Sequence, residues 1–175
     1  MKAVVIYKSK TGFTKKYAEW IAEDLSADIF EGSKITADML SDYDSVIYGG
    51  GLYAAGINGV KLITQNLDKL KDKKIVVFAT GASPSNQKVI SDIANKNFTP
   101  EEQKIIKFFY LRGGFDYNKL KFPYKAAMTL MKWTIKSKKE SERTDDESGM
   151  LEAYDKPVDF TDKKYIDEII SYINS

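Results

Sequence analysis

Six consecutive residues, Ser9-Lys10-Thr11-Gly12-Phe13-Thr14, place hydroxyls on both sides of a single glycine. They stand directly after the apolar run Ala3-Val4-Val5-Ile6-Tyr7 and directly before an amphipathic stretch. That order predicts a strand, a tight polar loop and a helix. A loop so placed offers hydroxyls and free backbone N–H groups at a helix N-terminus, where the helix dipole is positive. The chemistry it suits is capture of a phosphate dianion without a paired cation. Gly12 lets the backbone approach such a ligand closely. Lys10 is expected as a solvated side chain at the rim. The same residues also suit an ordinary strand-to-helix turn in which Ser and Thr cap the helix. Two other phosphate-binding patterns fit worse. A P-loop needs Lys-Ser or Lys-Thr after its last glycine, where this chain has Phe13-Thr14. A dinucleotide fingerprint needs three spaced glycines, where only Gly12 stands.

Two more segments are candidates for binding. Gly49-Gly50-Gly51-Leu52-Tyr53-Ala54-Ala55-Gly56 leaves room for a flat ligand against the backbone, and Tyr53 can stack on an aromatic ring. Thr80-Gly81-Ala82-Ser83-Pro84-Ser85-Asn86 is again small and polar. Taken singly, each also reads as a plain turn.

The elements that must position these loops alternate between strand and helix. Strands are expected at Lys2–Tyr7, Asp28–Phe30, Ser45–Tyr48, Lys74–Ala79 and Lys104–Leu111, the third stopped by Gly49-Gly50-Gly51. Helices are expected over about Gly12–Leu25, Asn58–Leu67, the stretch after Pro84-Ser85-Asn86, and the segment after Thr161. Shorter helical turns are expected at Thr36–Leu40 and from Thr99-Pro100-Glu101-Glu102. Val- and Ile-rich strands with little alternation indicate a sheet buried on both faces. Strand–helix alternation indicates parallel crossovers and a doubly wound α/β domain. Ligands in such folds sit at the carboxyl ends of the strands. All three candidate loops fall there.

Composition removes whole classes of chemistry. The 175 residues suit one domain, 1–175, with a substantial core. There is no Cys and no His. Thiolate nucleophiles, disulfides, thiolate-ligated zinc, iron–sulfur clusters and a Ser-His-Asp triad are therefore impossible. Redox or other difficult chemistry would have to come from a cofactor. The net charge of +2 gives no argument for nucleic acid. No apolar run is long enough to span a bilayer, and no signal peptide is evident, so a cytoplasmic location is expected.

With these residues in view, the chain resembles the flavodoxin-like flavoproteins. Ser9 through Thr14 match the family's FMN phosphate loop, Ser/Thr-x-Thr-Gly-x-Thr, at every specified position. The resemblance implies a five-stranded parallel sheet of order 2-1-3-4-5. It implies that Ser9, Lys10, Thr11, Gly12, Phe13 and Thr14 hold the phosphate. It also implies that Gly50, Gly51, Leu52, Tyr53, Thr80, Gly81, Ala82 and Ser83 flank the flavin ring. The expected function is FMN-dependent oxidation–reduction or electron transfer, with a redox protein or a quinone as partner. A flavin-free binding or signalling module on the same fold is the alternative of another class. A receiver domain would want carboxylates after the first strand, where Lys8 and Ser9 stand.

Two departures mark this chain within that family. Electron-carrier flavodoxins tend to be strongly acidic, and this chain is not. The connection before the last helix is long, at about 115–157. Its layout is similar to that of the menaquinone-dependent protoporphyrinogen oxidases: Leu111-Arg112-Gly113-Gly114, then Tyr- and Lys-rich sequence, a Met-rich helix and an acidic Thr-Asp-Asp-Glu segment. From Tyr117 to Lys139 no acidic residue occurs, while Lys119, Lys121, Lys125, Lys132, Lys136, Lys138 and Lys139 do. Tyr124, Ala127, Met128, Met131 and Ile135 share one face of a helix opening at Pro123, and Leu130 and Trp133 lie on a further flank. Such a helix suits a membrane interface or a lid over an apolar site, and equally a packed surface helix. Arg112, Asp116 and Tyr117 are within expected reach of the flavin edge or form a turn. The loops at 49–56 and 80–86 hold no Asp or Glu. A reduced, anionic flavin is therefore not destabilised there by like charge, which suits a quinone-linked role better than a low-potential shuttle.

Overall fold

A computed structural model describes residues 2–175. Strand β1 (Ala3–Lys8) leads into helix α1 (Phe13–Leu25), then β2 (Asp28–Glu31), a 3-10 turn at Ala37–Asp42 and the long β3 (Ser45–Tyr53). A short return strand β4 (Gly56–Ile57) precedes the helical turns α2 (Lys61–Thr64) and α3 (Leu67–Leu70). Next come β5 (Lys74–Gly81), α4 (Gln87–Asn97), the turn α5 (Glu102–Ile105) and β6 (Ile106–Arg112). The long connection holds β7 (Gly114–Phe115), α6 (Tyr124–Ser137), α7 (Asp145–Asp155) and β8 (Val158–Asp159), and α8 (Asp167–Asn174) closes the chain.

The main sheet has the order β2-β1-β3-β5-β6, with every one of these pairings parallel and β4 folded antiparallel onto β3. This is the 2-1-3-4-5 order expected, because β4 is a hairpin return outside the path. Side chains alternate between two apolar layers. Val4, Ile6, Val46, Tyr48, Ile75, Val77 and Ala79 face one, with Val60, Ile63, Leu70 and Ile93. Val5, Ile47, Val76 and Phe78 face the other, with Tyr17, Ala18 and Ile21 of α1 and Ile169 and Ile173 of α8. Helices cover both faces, so the strands need no polar side.

The structure departs from the expected boundaries in three places, the first being the strand expected from Lys104, which begins only at Ile106 because Lys104 and Ile105 close the helical turn α5. β3 does not stop at Tyr48 but runs through Gly49-Gly50-Gly51 to Tyr53. The glycines serve packing: a Cβ on Gly49 would lie 2.1 Å from Cζ of Phe78, and one on Gly50 would lie 2.6 Å from Cγ2 of Ile57. Glycine inside a strand marks such close approaches as readily as it marks a strand end. The helix expected over 58–67 is instead two single turns. Asn66 leaves helical geometry at φ −126°, ψ 18°, and its side-chain amide donates back to the Leu62 carbonyl at 2.9 Å.

The long connection is packed, not loose. β7 pairs antiparallel with β8. Tyr154 meets the rings of Phe115 and Tyr117 at 5.4 and 5.1 Å between centroids, and its hydroxyl donates to the Met128 carbonyl at 2.6 Å. Arg143 donates to the carbonyls of Ile135, Lys136 and Lys138, satisfying the C-terminal end of α6. Thr144 and Glu147 form a reciprocal capping box at the start of α7, which gives these two residues of the Thr-Asp-Asp-Glu segment a structural role.

Burial pushes the phenols of Tyr17 and Tyr110 up to about 12 and that of Tyr48 higher still. Above about pH 10 the unfolded chain loses these protons while the folded chain keeps them, so stability falls as pH rises through this window. An ultraviolet titration of phenolate is expected to show a delayed class among the eleven tyrosines, appearing only as the protein unfolds. A single transition at the ordinary tyrosine value, with the fold intact, would contradict these burials.

Candidate functional site

The phosphate-loop candidate connects β1 to α1. Gly12 is the residue before the helix and adopts φ +100°, a conformation in which any other residue is strained. Its N–H donates to Ser9 Oγ at 3.1 Å, which folds the loop on itself. No side chain caps α1, and its first turn carries no acidic residue. The first backbone bond of the helix runs from Lys16 N–H to the Gly12 carbonyl at 3.0 Å. The amides of Phe13, Thr14 and Lys15 therefore have no acceptor within the helix. The reading in which Ser and Thr cap the helix thus fails here, and an open cluster of donors is left at the positive end of the dipole. Ser9 and Thr11 flank it half-exposed.

Thr14 behaves differently from the other hydroxyls. It is 2% exposed, and its Oγ1 lies 2.6 Å from Oγ1 of Thr80 in a buried contact. This pair ties the start of α1 to the end of β5. Around it the other loops close in. A Cβ on Gly51 would lie 3.5 Å from Thr14 Oγ1. A Cβ on Gly81 would lie 2.8 Å from the Tyr110 hydroxyl and 3.1 Å from Leu52 Cδ1. Gly113 donates its N–H to the Gly81 carbonyl at 2.8 Å. The carboxyl ends of β1, β3, β5 and β6 thus meet at one edge, and the sequence-predicted loop residues come together there. Gly50 is the exception in orientation: its open side is filled by Ile57 and the Asn58 carbonyl, so its lack of a side chain serves the hairpin.

Tyr53 sits at the tip of β3, half-buried, with its phenol pushed up to about 12 first by burial and then by Tyr124. The chain turns back through Ala54 and Ala55 at φ +48° and +62°. Both are left-handed, the pattern of a tight two-residue hairpin that normally carries Asn or Gly. Each alanine there is strained by about 1 kcal/mol or more. The last turn of α4 holds the strained turn in place. Lys96 Nζ donates to the Ala54 carbonyl at 2.6 Å, and Asn97 donates to the Ala55 carbonyl at 2.8 Å while accepting from Ile57 N–H at 2.8 Å. The loop after β5 is held similarly. Tyr110 donates its hydroxyl to the Ser83 carbonyl at 2.7 Å, and Arg112 Nε donates to the Ala82 carbonyl at 3.3 Å.

A residue of the long connection completes the site. Tyr124, the first residue of α6, meets the Tyr53 ring at 4.4 Å between centroids. Lys10 Nζ lies 3.9 Å from the centre of the Tyr124 ring and 4.7 Å from that of Tyr53. Lys10 thus packs its cation against both aromatic rings at the mouth of the loop. Sequence reasoning placed Tyr124 on the apolar face of α6, open to a membrane, a lid or a packed role, but gave no signal that this face meets Tyr53. The supporting roles of Asn97, Lys96 and Tyr110 left no sequence signal either. Of the other residues considered near the edge, Arg112 holds the Ala82 carbonyl. Asp116 instead caps a 3-10 turn through Asn118 N–H at 3.1 Å. Tyr117 bonds the Thr129 hydroxyl at 2.6 Å. Among the described residues no cluster of carboxylates fit to hold a metal ion occurs.

This edge, with a doubly wound sheet beneath it, is the architecture of a flavodoxin-type domain. The chain matches the flavodoxin domain family over residues 4–142 and belongs to that family. A stretch of 87 residues is 37% identical to an uncharacterized protein of Methanocaldococcus jannaschii, covering 48% of this chain and 57% of that protein. The chain therefore matches little more than half the length of that relative. Among solved structures, a flavodoxin from the domain Archaea aligns with 68% of this chain and 89% of its own at 17% identity, TM-score 0.45. Two-electron reduced Megasphaera elsdenii flavodoxin aligns with 63% and 85% at 16% identity, TM-score 0.47. Oxidised Flavodoxin 1 from Bacillus cereus aligns with 75% and 93% at 17% identity, TM-score 0.45.

The Thr14–Thr80 pair yields a direct test. Thr80→Val leaves the buried Thr14 hydroxyl without its partner and is expected to lower stability by about 1–3 kcal/mol. Thr14→Val/Thr80→Val removes both hydroxyls, and its loss should be smaller than the sum of the two single losses in a double-variant cycle. Strictly additive losses by denaturant unfolding would mean the two hydroxyls do not interact.

Proposed function

We propose that this protein binds FMN at the edge just described and acts in oxidation–reduction or electron transfer. The observation that carries the reading is the uncapped start of α1, with Gly12 left-handed and the amides of Phe13, Thr14 and Lys15 lacking acceptors within the helix. Open donors at a dipole's positive end are what a phosphate dianion requires. The residues fit the group: Ser9 and Thr11 add hydroxyls beside those amides, and no carboxylate opposes the charge in the first turn. Tyr53 and the loop from Gly81 to Ser83 would flank the ring system. FMN, when bound, supplies the electron-accepting chemistry, and the chain supplies position and electrostatics.

What this chain's residues do follows from their charges. Lys10 sets a cation beside Tyr53, and the loops at 49–56 and 80–86 bring no carboxylate. Lys10 and the carboxylate-free loops would favour added negative charge on a group held there more than an acidic site would. The same observation favours a second, narrower reading, an oxidase that hands electrons to a quinone. The covering of the site by Tyr124 from a lysine-rich connection supports it further.

Titration of the apo-protein with FMN and with riboflavin tests the proposal. Each hydrogen bond to the charged phosphate is worth about 1.5–3 kcal/mol, so FMN is expected to bind at least tenfold more tightly. Equal affinity would contradict the phosphate assignment. Binding of neither would leave a flavin-free module.

A further inference from the structure

We infer that the outer face of α6 docks this protein onto an anionic lipid bilayer. Among the described residues eight large apolar side chains are exposed, and four of them cluster here: Phe122 at 85%, Leu130 and Trp133 at 71%, and Met131 at 44%. Ala126, Leu130, Trp133 and Ser137 follow at steps of four, three and four residues, which puts them along one side of the helix. Phe122 is exposed two residues before the helix begins.

The opposite side of the same helix is already used. Ile135 is 3% exposed, Tyr124 meets Tyr53, and the Met128 carbonyl accepts from Tyr154. The apolar surface of α6 is thus divided. Part packs on the domain, and Leu130 and Trp133, on the flank of the arc, face outward. An exposed stripe of this kind on a folded domain marks an interaction surface.

Charge identifies the occupant. Lysines bracket the stripe at both ends and no acidic residue interrupts it between Tyr117 and Lys139. Several of these lysines already have partners on the protein. Lys119 pairs with Asp116, Lys132 with Asp155 and Lys138 with Glu147, and Lys125 lies over the Tyr117 ring at 5.1 Å. Lys121, Lys136 and Lys139 are exposed and form no ion pair among the described residues. Lys121 adjoins Phe122, Lys136 lies three residues beyond Trp133, and Lys139 follows the helix end. An apolar stripe framed by unpaired cations matches a surface whose headgroups are negative and whose interior is apolar. The long lysine stems can run along the apolar patch with the ammonium groups at headgroup level. No helix among the described residues is long and apolar enough to cross a membrane, so contact is by lying on the surface.

This inference goes beyond the redox reading and stands without it, since α6 presents the same face whether or not a cofactor is bound. Sedimentation of the full chain, without FMN, with phosphatidylcholine vesicles and with vesicles containing phosphatidylglycerol tests it. Binding is expected only to the anionic vesicles and should fall as salt is added. Lys121→Gln/Lys136→Gln/Lys139→Gln should weaken it by about a hundredfold. Leu130→Ser/Trp133→Ser should abolish it while leaving thermal unfolding unchanged, because both side chains are exposed. Trp133 is one of two tryptophans, so Trp20→Phe isolates its fluorescence, and emission should shift to the blue on binding. Failure to sediment with anionic vesicles at low salt would overturn the proposal. So would concentration-dependent self-association that Leu130→Ser/Trp133→Ser removes without any vesicle binding, which would assign the face to a second copy of the chain.

Discussion

A buried contact between two hydroxyls, Thr14 on α1 and Thr80 at the end of β5, holds the loop edge of this protein together. The parallel sheet delivers the carboxyl ends of its strands to one side, but delivery alone leaves a ring of independent loops. The 2.6 Å contact links the first loop to the strand two places away in the sheet. Gly51 can then lie against Thr14, and Gly113 against Phe13 and Thr80. A buried hydroxyl left unpaired loses about 1–3 kcal/mol. The two residues therefore constrain each other, and the donors of α1 are fixed relative to the tip of β3.

Around that contact the chain accepts local strain to keep Tyr53 in position. Two consecutive alanines hold left-handed conformations, and the last turn of α4 bonds both of their carbonyls. Asn97 is central, because it also accepts the Ile57 amide and donates to the Ile93 carbonyl. Strain held in this way is characteristic of positions where geometry matters more than local stability. The aromatic pair Tyr53–Tyr124 and the cation of Lys10 complete the arrangement, so a residue from the long connection becomes part of the site's wall.

The sequence shows much of this because its signals are local. The order of strand, polar loop and helix around Ser9–Thr14 locates the donor cluster, and the Val- and Ile-rich runs locate the sheet. Gly49-Gly50-Gly51 misleads because a glycine's meaning depends on distant partners: Phe78 and Ile57 occupy the space that side chains would take. The inward role of Lys132 and the contact of Tyr124 with Tyr53 depend on how α6 docks, which helical periodicity alone does not specify. Periodicity gives α6 one broad apolar arc with Leu130 and Trp133 on its flank; in the structure the arc is split, Ile135 being buried while Leu130, Met131 and Trp133 stay exposed.

The proposed function requires the open amides at the start of α1 to take the phosphate of FMN. Amide hydrogen exchange measured residue by residue, with and without FMN, reads those amides themselves. Without ligand, Phe13 and Lys15 should exchange quickly, since they have no acceptor within the helix. With FMN, their exchange should slow together with that of Thr11 and Gly12, and riboflavin should leave these amides unchanged while slowing Leu52 and Tyr53. FMN bound with unaltered exchange at Phe13 through Lys15 would contradict the account.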